Sequence, residues 1–207
     1  MTTVASIIGL AGCGLLVASL VIGILNRRRF SSTVRGLVFL ALMVVTLVPV
    51  RGLPLAGYIR GLTGDLSITT WILLVAAGLS RLTDRERISA RSKTVLMLLV
   101  FVGGVFLYPM ALGLTYFDPY TLGYSSRPFL VVLFVFALWA VQRELYLIAL
   151  CLCASVLAHS IGILESRNLW DYLIDVWVVL YARGFLFWWW ATTRQHGQRT
   201  PSSQVGL

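Results

Sequence analysis

The chain has 207 residues, 58% of them apolar and 12% charged, with a mean hydropathy of +0.87. That balance excludes an ordinary soluble globular domain, and at roughly 20 residues per spanning helix about six or seven helices use up the length. The formal charge of +9 falls in short loops beside apolar runs, which membrane topology alone explains, so it implies no nucleic-acid partner.

Residues 4–25 form an uncharged run of 22 residues, long enough for a first crossing, with Gly9, Gly12 and Gly14 allowing another helix to approach closely. No basic residue precedes the run, whereas Arg27, Arg28 and Arg29 follow it. This is the reverse of a cleavable signal peptide, so the helix is expected to be retained with its N-terminus outside. Loop 26–35 adds four positive charges and marks the retained side; residues 36–50 then cross back.

Residues 51–65, RGLPLAGYIRGLTGD, are punctuated by Pro54 and glycines, yet Leu55, Ile59, Leu62 and Leu66 recur at helical spacing. The pattern predicts a helix along the outer interface with Arg51 and Arg60 snorkelling. Asp65 is placed to cap a third crossing over 66–82. The next stretch, RLTDRERISARSK at 81–93, carries five of the seventeen basic residues and fixes the orientation of everything else.

A fourth crossing over 94–114 leads to the outer loop TYFDPYTLGYSSRP at 115–128, where Tyr116, Phe117, Tyr120 and Tyr124 suit the headgroup layer. Asp118 before Pro119 reads as a turn. Residues 129–141 supply only 13 apolar positions, so a fifth crossing must extend from Arg127 through Glu144, and its turn at Gln142, Arg143 and Glu144 lacks Gly or Pro. Residues 129–164 therefore stand as two crossings, a re-entrant segment or one long helix. A sixth crossing, 145–164, reaches the outer loop ESRNLWD, 165–171; a seventh, 172–190, ends in three tryptophans. The tail 191–207 is polar and expected to be disordered.

These elements predict an all-α polytopic bundle of about seven transmembrane helices in one domain, residues 1–190, N-terminus out and C-terminus in. Twelve basic residues fall on the retained side and four on the outer side, with Arg183 inside a helix, as the positive-inside rule requires.

Cys13, Cys151 and Cys153 form no CxxC and have no histidine at ligand spacing, so neither a disulfide framework nor a metal site nor any other cofactor is expected. No HExxH, P-loop or dinucleotide-binding glycine pattern occurs, and GYSS at 123–126 and TGD at 63–65 are only fragments of intramembrane-protease signatures. The polar positions that need a reason are Asp65, Asp118, His159, Glu165, Asp171, Asp175 and Arg183. Asp171 and Asp175, four apart, would share a helical face; Asp175 and Arg183, eight apart, are separated by about 12 Å and roughly 80° of rotation and cannot pair with each other. His159 is either a packing residue or a proton acceptor in an outward groove with Asp175 and Asp118. Ser67, Thr69 and Thr70 add polar character to the third crossing.

Basic inner loops and an acidic, aromatic outer rim point to a bacterial inner-membrane protein. The reading that follows is a non-catalytic accessory subunit in envelope or lipid-linked biogenesis, with membrane lipids and a membrane-protein partner. The alternatives are a small transporter or channel built on helices three, six and seven, and an embedded enzyme acting on a lipid head group through Asp118, His159 and Glu165.

Overall fold

The computed structural model describes residues 4–25, 30–83, 88–124 and 127–197, and it is built almost wholly of helix. Two basic stretches (27–29 and the 84–87 part of the loop), the serine pair of GYSS, and residues 198–207 lie outside the described residues.

Helix α1 (Val4–Ile24) packs on α2 (Ser32–Thr46), α3 (Leu55–Thr63) and α4 (Ile68–Thr83). Its glycines are contact points: a Cβ on Gly12 would come within 3.0 Å of the Trp71 ring of α4, and one on Gly14 within 2.7 Å of the Thr46 hydroxyl of α2. Ser31 caps α2 by accepting from the Val34 N–H at 3.3 Å. This early start draws Arg35, expected in the basic loop, into α2, where only 2% of it is exposed. Between α2 and α3 the chain makes a hairpin of β1 (Pro49–Val50) and β2 (Leu53–Pro54), its tip formed by Arg51 and Gly52, both at positive φ.

Helix α5 (Ala90–Ala111) begins at the cap Ser89, so Arg91 and Lys93 sit in its first turn. It ends at Gly113, whose φ of 81° lets Leu114 N–H return to the Pro109 carbonyl. Helix α6 (Arg127–Gln142) and helix α7 (Tyr146–Ser160) pack against each other as a hairpin, which settles residues 129–164 as two helices. The turn uses the same Schellman device without a glycine: Leu145 N–H reaches the Ala140 carbonyl at 2.8 Å and Glu144 adopts φ 59°. Because a non-glycine residue pays a steric penalty there, Glu144→Gly is expected to stabilise the fold by about 0.5–1 kcal/mol. Thermal unfolding in detergent would register this as a raised midpoint.

The stretch expected as a seventh crossing is not one continuous helix. Helix α8 (Leu169–Leu173) stops at Ile174, which is extended at φ −140°, and α9 (Val176–Gly197) starts after Asp175. Helix α9 then runs seven residues past the expected end at 190. It packs on α5, which also contacts α7, while α7 contacts α4 and joins the two halves of the molecule. The main apolar core lies among α5, α6, α7, α8 and α9, around Met97, Ile148, Cys151, Tyr172 and Ala182.

Among the described residues, α1 and α5, of 21 and 22 residues, are the two helices long and apolar enough to cross a membrane, which supports membrane association. Helices α2, α4, α6 and α7 are apolar but have 15 or 16 residues, about 23 Å of rise against a hydrocarbon core of about 30 Å. Among the described residues, then, two helices rather than seven have the length and apolarity of a full crossing. Caps at Ser31 and Ser67 and positive-φ stops at Glu144 and Gly162 shorten the runs that hydropathy alone would extend.

Candidate functional site

The polar side chains collect at the end of the molecule where α3, the 3-10 helix Pro119–Tyr124, and α8 meet the N-terminal ends of α4 and α9. Asp175 is the centre of this region. It is buried, at 9% exposure, and its Oδ1 accepts from Val178 N–H at 2.8 Å, capping α9. Its Oδ2 accepts from Ser67 N–H at 2.9 Å and from the Thr70 hydroxyl at 2.5 Å. Ser67 is itself the cap of α4, its hydroxyl accepting from Thr70 N–H at 3.2 Å. One carboxylate thus caps α9 directly and holds the capping serine of α4, at the positive dipole ends of both helices, where an anion is favoured without any counter-cation. Asp175 is a cap at a helix break, not a charge in the interior of a helix, and the break separates it from Asp171.

Asp171 belongs to a second knot. Its Oδ2 accepts from the Tyr120 hydroxyl at 2.8 Å and the Ser166 hydroxyl at 2.5 Å. Asp118 closes its own turn by accepting from Tyr120 N–H at 2.9 Å, so Tyr120 connects Asp118 to Asp171. Burial, reinforced by the Asp171 acceptor, pushes the Tyr120 phenol above its ordinary range and keeps it a donor at neutral pH. Asn168, fully buried, accepts from Trp170 N–H at 3.0 Å and donates to the Tyr120 carbonyl at 2.8 Å. Gly123 lies directly on that amide, leaving no room for a Cβ. Tyr172, also fully buried, accepts from Leu164 N–H at 3.1 Å while Ser155 donates to its carbonyl at 2.9 Å.

Asp65 does not cap α4; Ser67 holds that position. Asp65 instead pairs with Arg60, Nε to Oδ1 at 2.6 Å and Nη2 to Oδ2 at 3.0 Å, and the same guanidinium reaches Glu165 at 2.9 Å. Ser6 donates to Glu165 at 3.0 Å, and the Arg60 side chain lies against Gly9 of α1. Arg60 therefore does not snorkel into solvent; it ties α1, α3 and the loop before α8 together. The Arg60 guanidinium, then the Ser6 hydroxyl, hold the Glu165 carboxyl below its ordinary range. A lowered folded value stabilises above the ordinary glutamate range and is lost as pH falls below it. Since the Glu165 side chain is 53% exposed, solvent limits Glu165→Gln to under about 0.5 kcal/mol. Arg60→Leu, which strands the more buried Asp65, is expected to cost about 1–2 kcal/mol. Unfolding in detergent at pH 7 would show the Arg60 effect as the larger of the two, and the Glu165 effect should fade as pH is lowered through its depressed range.

His159 donates from Nε2 to the Arg167 carbonyl at 3.0 Å and stands edge-on to Tyr172, with ring centroids 5.1 Å apart. Among the described residues no hydrogen bond joins it to Asp118 or Asp175. Likewise no group of three or more His, Cys, Asp or Glu capable of holding a metal occurs among them.

Arg183 stands apart from all of this. It is exposed on α9 and lines an apolar groove of about 750 Å³ with Phe101, Leu180, Phe187 and Trp190. Among the described residues it makes no hydrogen bond or ion pair. Two further arginines, at the opposite end, escaped the sequence reading: Arg35 donates to the Arg81 carbonyl at the end of α4, and Arg81 donates to the Ser19 carbonyl of α1 at 2.6 Å. Both use helix carbonyls as acceptors, an arrangement that basic-loop composition conceals.

Comparison with protein-family models, with curated proteins and with solved structures finds no match to this chain.

Proposed function

We propose that the chain is a multi-pass protein of the bacterial inner membrane that serves as a non-catalytic accessory subunit in envelope or lipid-linked biogenesis. The observation that carries this reading is the use of the outer carboxylates: Asp65, Asp118, Asp171 and Asp175 each cap a helix or turn, bridge elements or pair with an arginine. His159 is likewise engaged with backbone. Such groups position loops, whereas a catalytic set needs free hydrogen-bonding capacity aimed at a cleft. Multi-pass insertion is supported by the outward faces of α2 and α6, where Leu37, Leu40, Val44, Val131, Val132 and Phe134 are exposed; in water such a surface would aggregate, and in lipid it is matched. With the shorter helices, local thinning of the bilayer and the flanking capped turns make up the missing length.

The test is purification in mild detergent with identification of co-purifying membrane proteins, followed by their abundance in cells lacking this chain. Loss of the same partner's abundance or activity on deletion, with His159→Gln and Glu165→Gln tolerated, is the expected result. Loss of function from His159→Gln at unchanged protein level would contradict it.

A transporter is the second reading, and one feature favours it. The interruption between α8 and α9, with helix N-terminal ends converging on a buried polar cluster of Ser67, Thr70 and Asp175, is the arrangement in which transporters place ion sites. Proton- or cation-coupled flux in vesicles, abolished by Asp175→Asn with the fold intact, would establish it in place of the first.

A further inference from the structure

The register of α5 against α9 fixes the depth of Arg183. A Cβ on Gly104 would meet the Val179 side chain at 2.5 Å, and the Lys93 ammonium lies 4.9 Å from the Phe185 ring centroid, so the two helices run antiparallel. Four residues beyond Val179, Arg183 faces the level of residue 100, the middle of α5, one of the two helices able to cross a membrane. Along α9 itself it lies about 12 Å from Asp175 at one end and about 10 Å from Trp190 at the other. Neither end supplies a counter-charge: Asp175 is buried with its acceptors occupied, and toward the other end stand two more cations, Lys93 against the Tyr181 and Phe185 rings and Arg194 over Trp190 at 3.9 Å. The Cβ of Arg183 points toward the helix N-terminus, away from the nearer, tryptophan-rich end. An exposed guanidinium at mid-span is unfavourable unless a counter-charge meets it there.

We infer that the α9 groove around Arg183 is the docking face for a transmembrane helix of the partner subunit that carries a carboxylate at the middle of its span. This rests on the accessory-subunit reading and specifies its interface. Charge complementarity selects the occupant. A lipid phosphate sits at the headgroup layer, not at mid-span. A second copy of this chain cannot supply the acid either, since none of the eight acidic residues lies in the middle of an apolar run. The flanking side chains fit a helix: Gly184 leaves space beside the cation, and Phe101, Leu180 and Phe187 form apolar walls.

The experiment uses the purified full-length protein in phosphatidylcholine vesicles and a fluorescent leucine-rich transmembrane peptide with one central aspartate, compared with the all-leucine peptide. Energy transfer is expected to report association roughly 5- to 30-fold tighter for the aspartate peptide. That preference should vanish in Arg183→Leu, persist in Arg183→Lys, and weaken when the aspartate is moved two turns toward either end. Helical content by circular dichroism confirms that each variant is folded. Equal binding of the two peptides, or a preference that survives Arg183→Leu, overturns the inference. So does loss of the preference when phosphatidylglycerol is added, because Arg183 would then be a lipid-headgroup site. The peptide result concerns the groove alone; the accessory reading fails separately, on the His159→Gln phenotype and the partner's abundance.

Discussion

Asp175→Ala is expected to destabilise the protein by about 3 kcal/mol or more, enough to prevent its accumulation in cells. Losing the α9 N-cap alone costs about 0.5–2 kcal/mol. It also leaves Ser67 N–H and the Thr70 hydroxyl without their acceptor in a region where Ser67 is fully buried and Thr70 is 7% exposed, adding about 1–3 kcal/mol. Asp175→Asn keeps one acceptor oxygen but presents an amide N–H₂ to either Ser67 N–H or Val178 N–H, donor against donor. It should therefore recover only about half of the loss. Denaturant titration in detergent distinguishes the cases, and the intermediate position of asparagine separates a structural cap and bridge from an ion site, where asparagine would leave the fold intact.

The second large effect is expected at Asn168→Ala, at about 2–3 kcal/mol. The side chain is fully buried and joins two loops, capping α8 through Trp170 N–H and holding the Tyr120 carbonyl. Alanine leaves both partners unsatisfied and opens a void against Gly123, whose lack of a Cβ makes room for the amide. Asn168→Asp should fall between, since it retains the cap but not the donor. The diagnostic readout is local: Trp170, ring-stacked on Phe129 at 4.6 Å between centroids, should show a fluorescence change in Asn168→Ala that Arg60→Leu does not produce, compared in a background where the other tryptophans are phenylalanine.

How much of this could be read from the chain depended on whether the signal was local. The runs that became α1 and α5 are uniformly apolar and need no partner to be recognised. The turn at Asp118 and the helix α3 were also visible, each resting on residues within a few positions. The break before Asp175 was not: LIDVWVV has neither glycine nor proline, so hydropathy carries a helix straight through it. An aspartate three residues ahead of Val178 is a cap signal that competes with the apolar run, and only the approach of α4 decides between them. The Arg60 cluster could not be inferred, because Glu165 is 105 positions away in sequence and Asp65 is five, outside helical pairing distance. Arg35 was hidden among other arginines. For Arg183 the helix was foreseen, and its side chain faces outward from it.

Cysteine labelling tests the central claim most directly, that the capped polar end faces outside and the chain crosses the membrane repeatedly. In a background with Cys13, Cys151 and Cys153 replaced by alanine, single cysteines at Ile88, Leu122, Glu144 and Ile161 are exposed to a membrane-impermeant maleimide in intact spheroplasts. Labelling at Leu122 and Ile161, with Ile88 and Glu144 reacting only after permeabilisation, is the expected alternation. Labelling of Ile88 or Glu144 from outside, or equal reaction at all four positions, would contradict it.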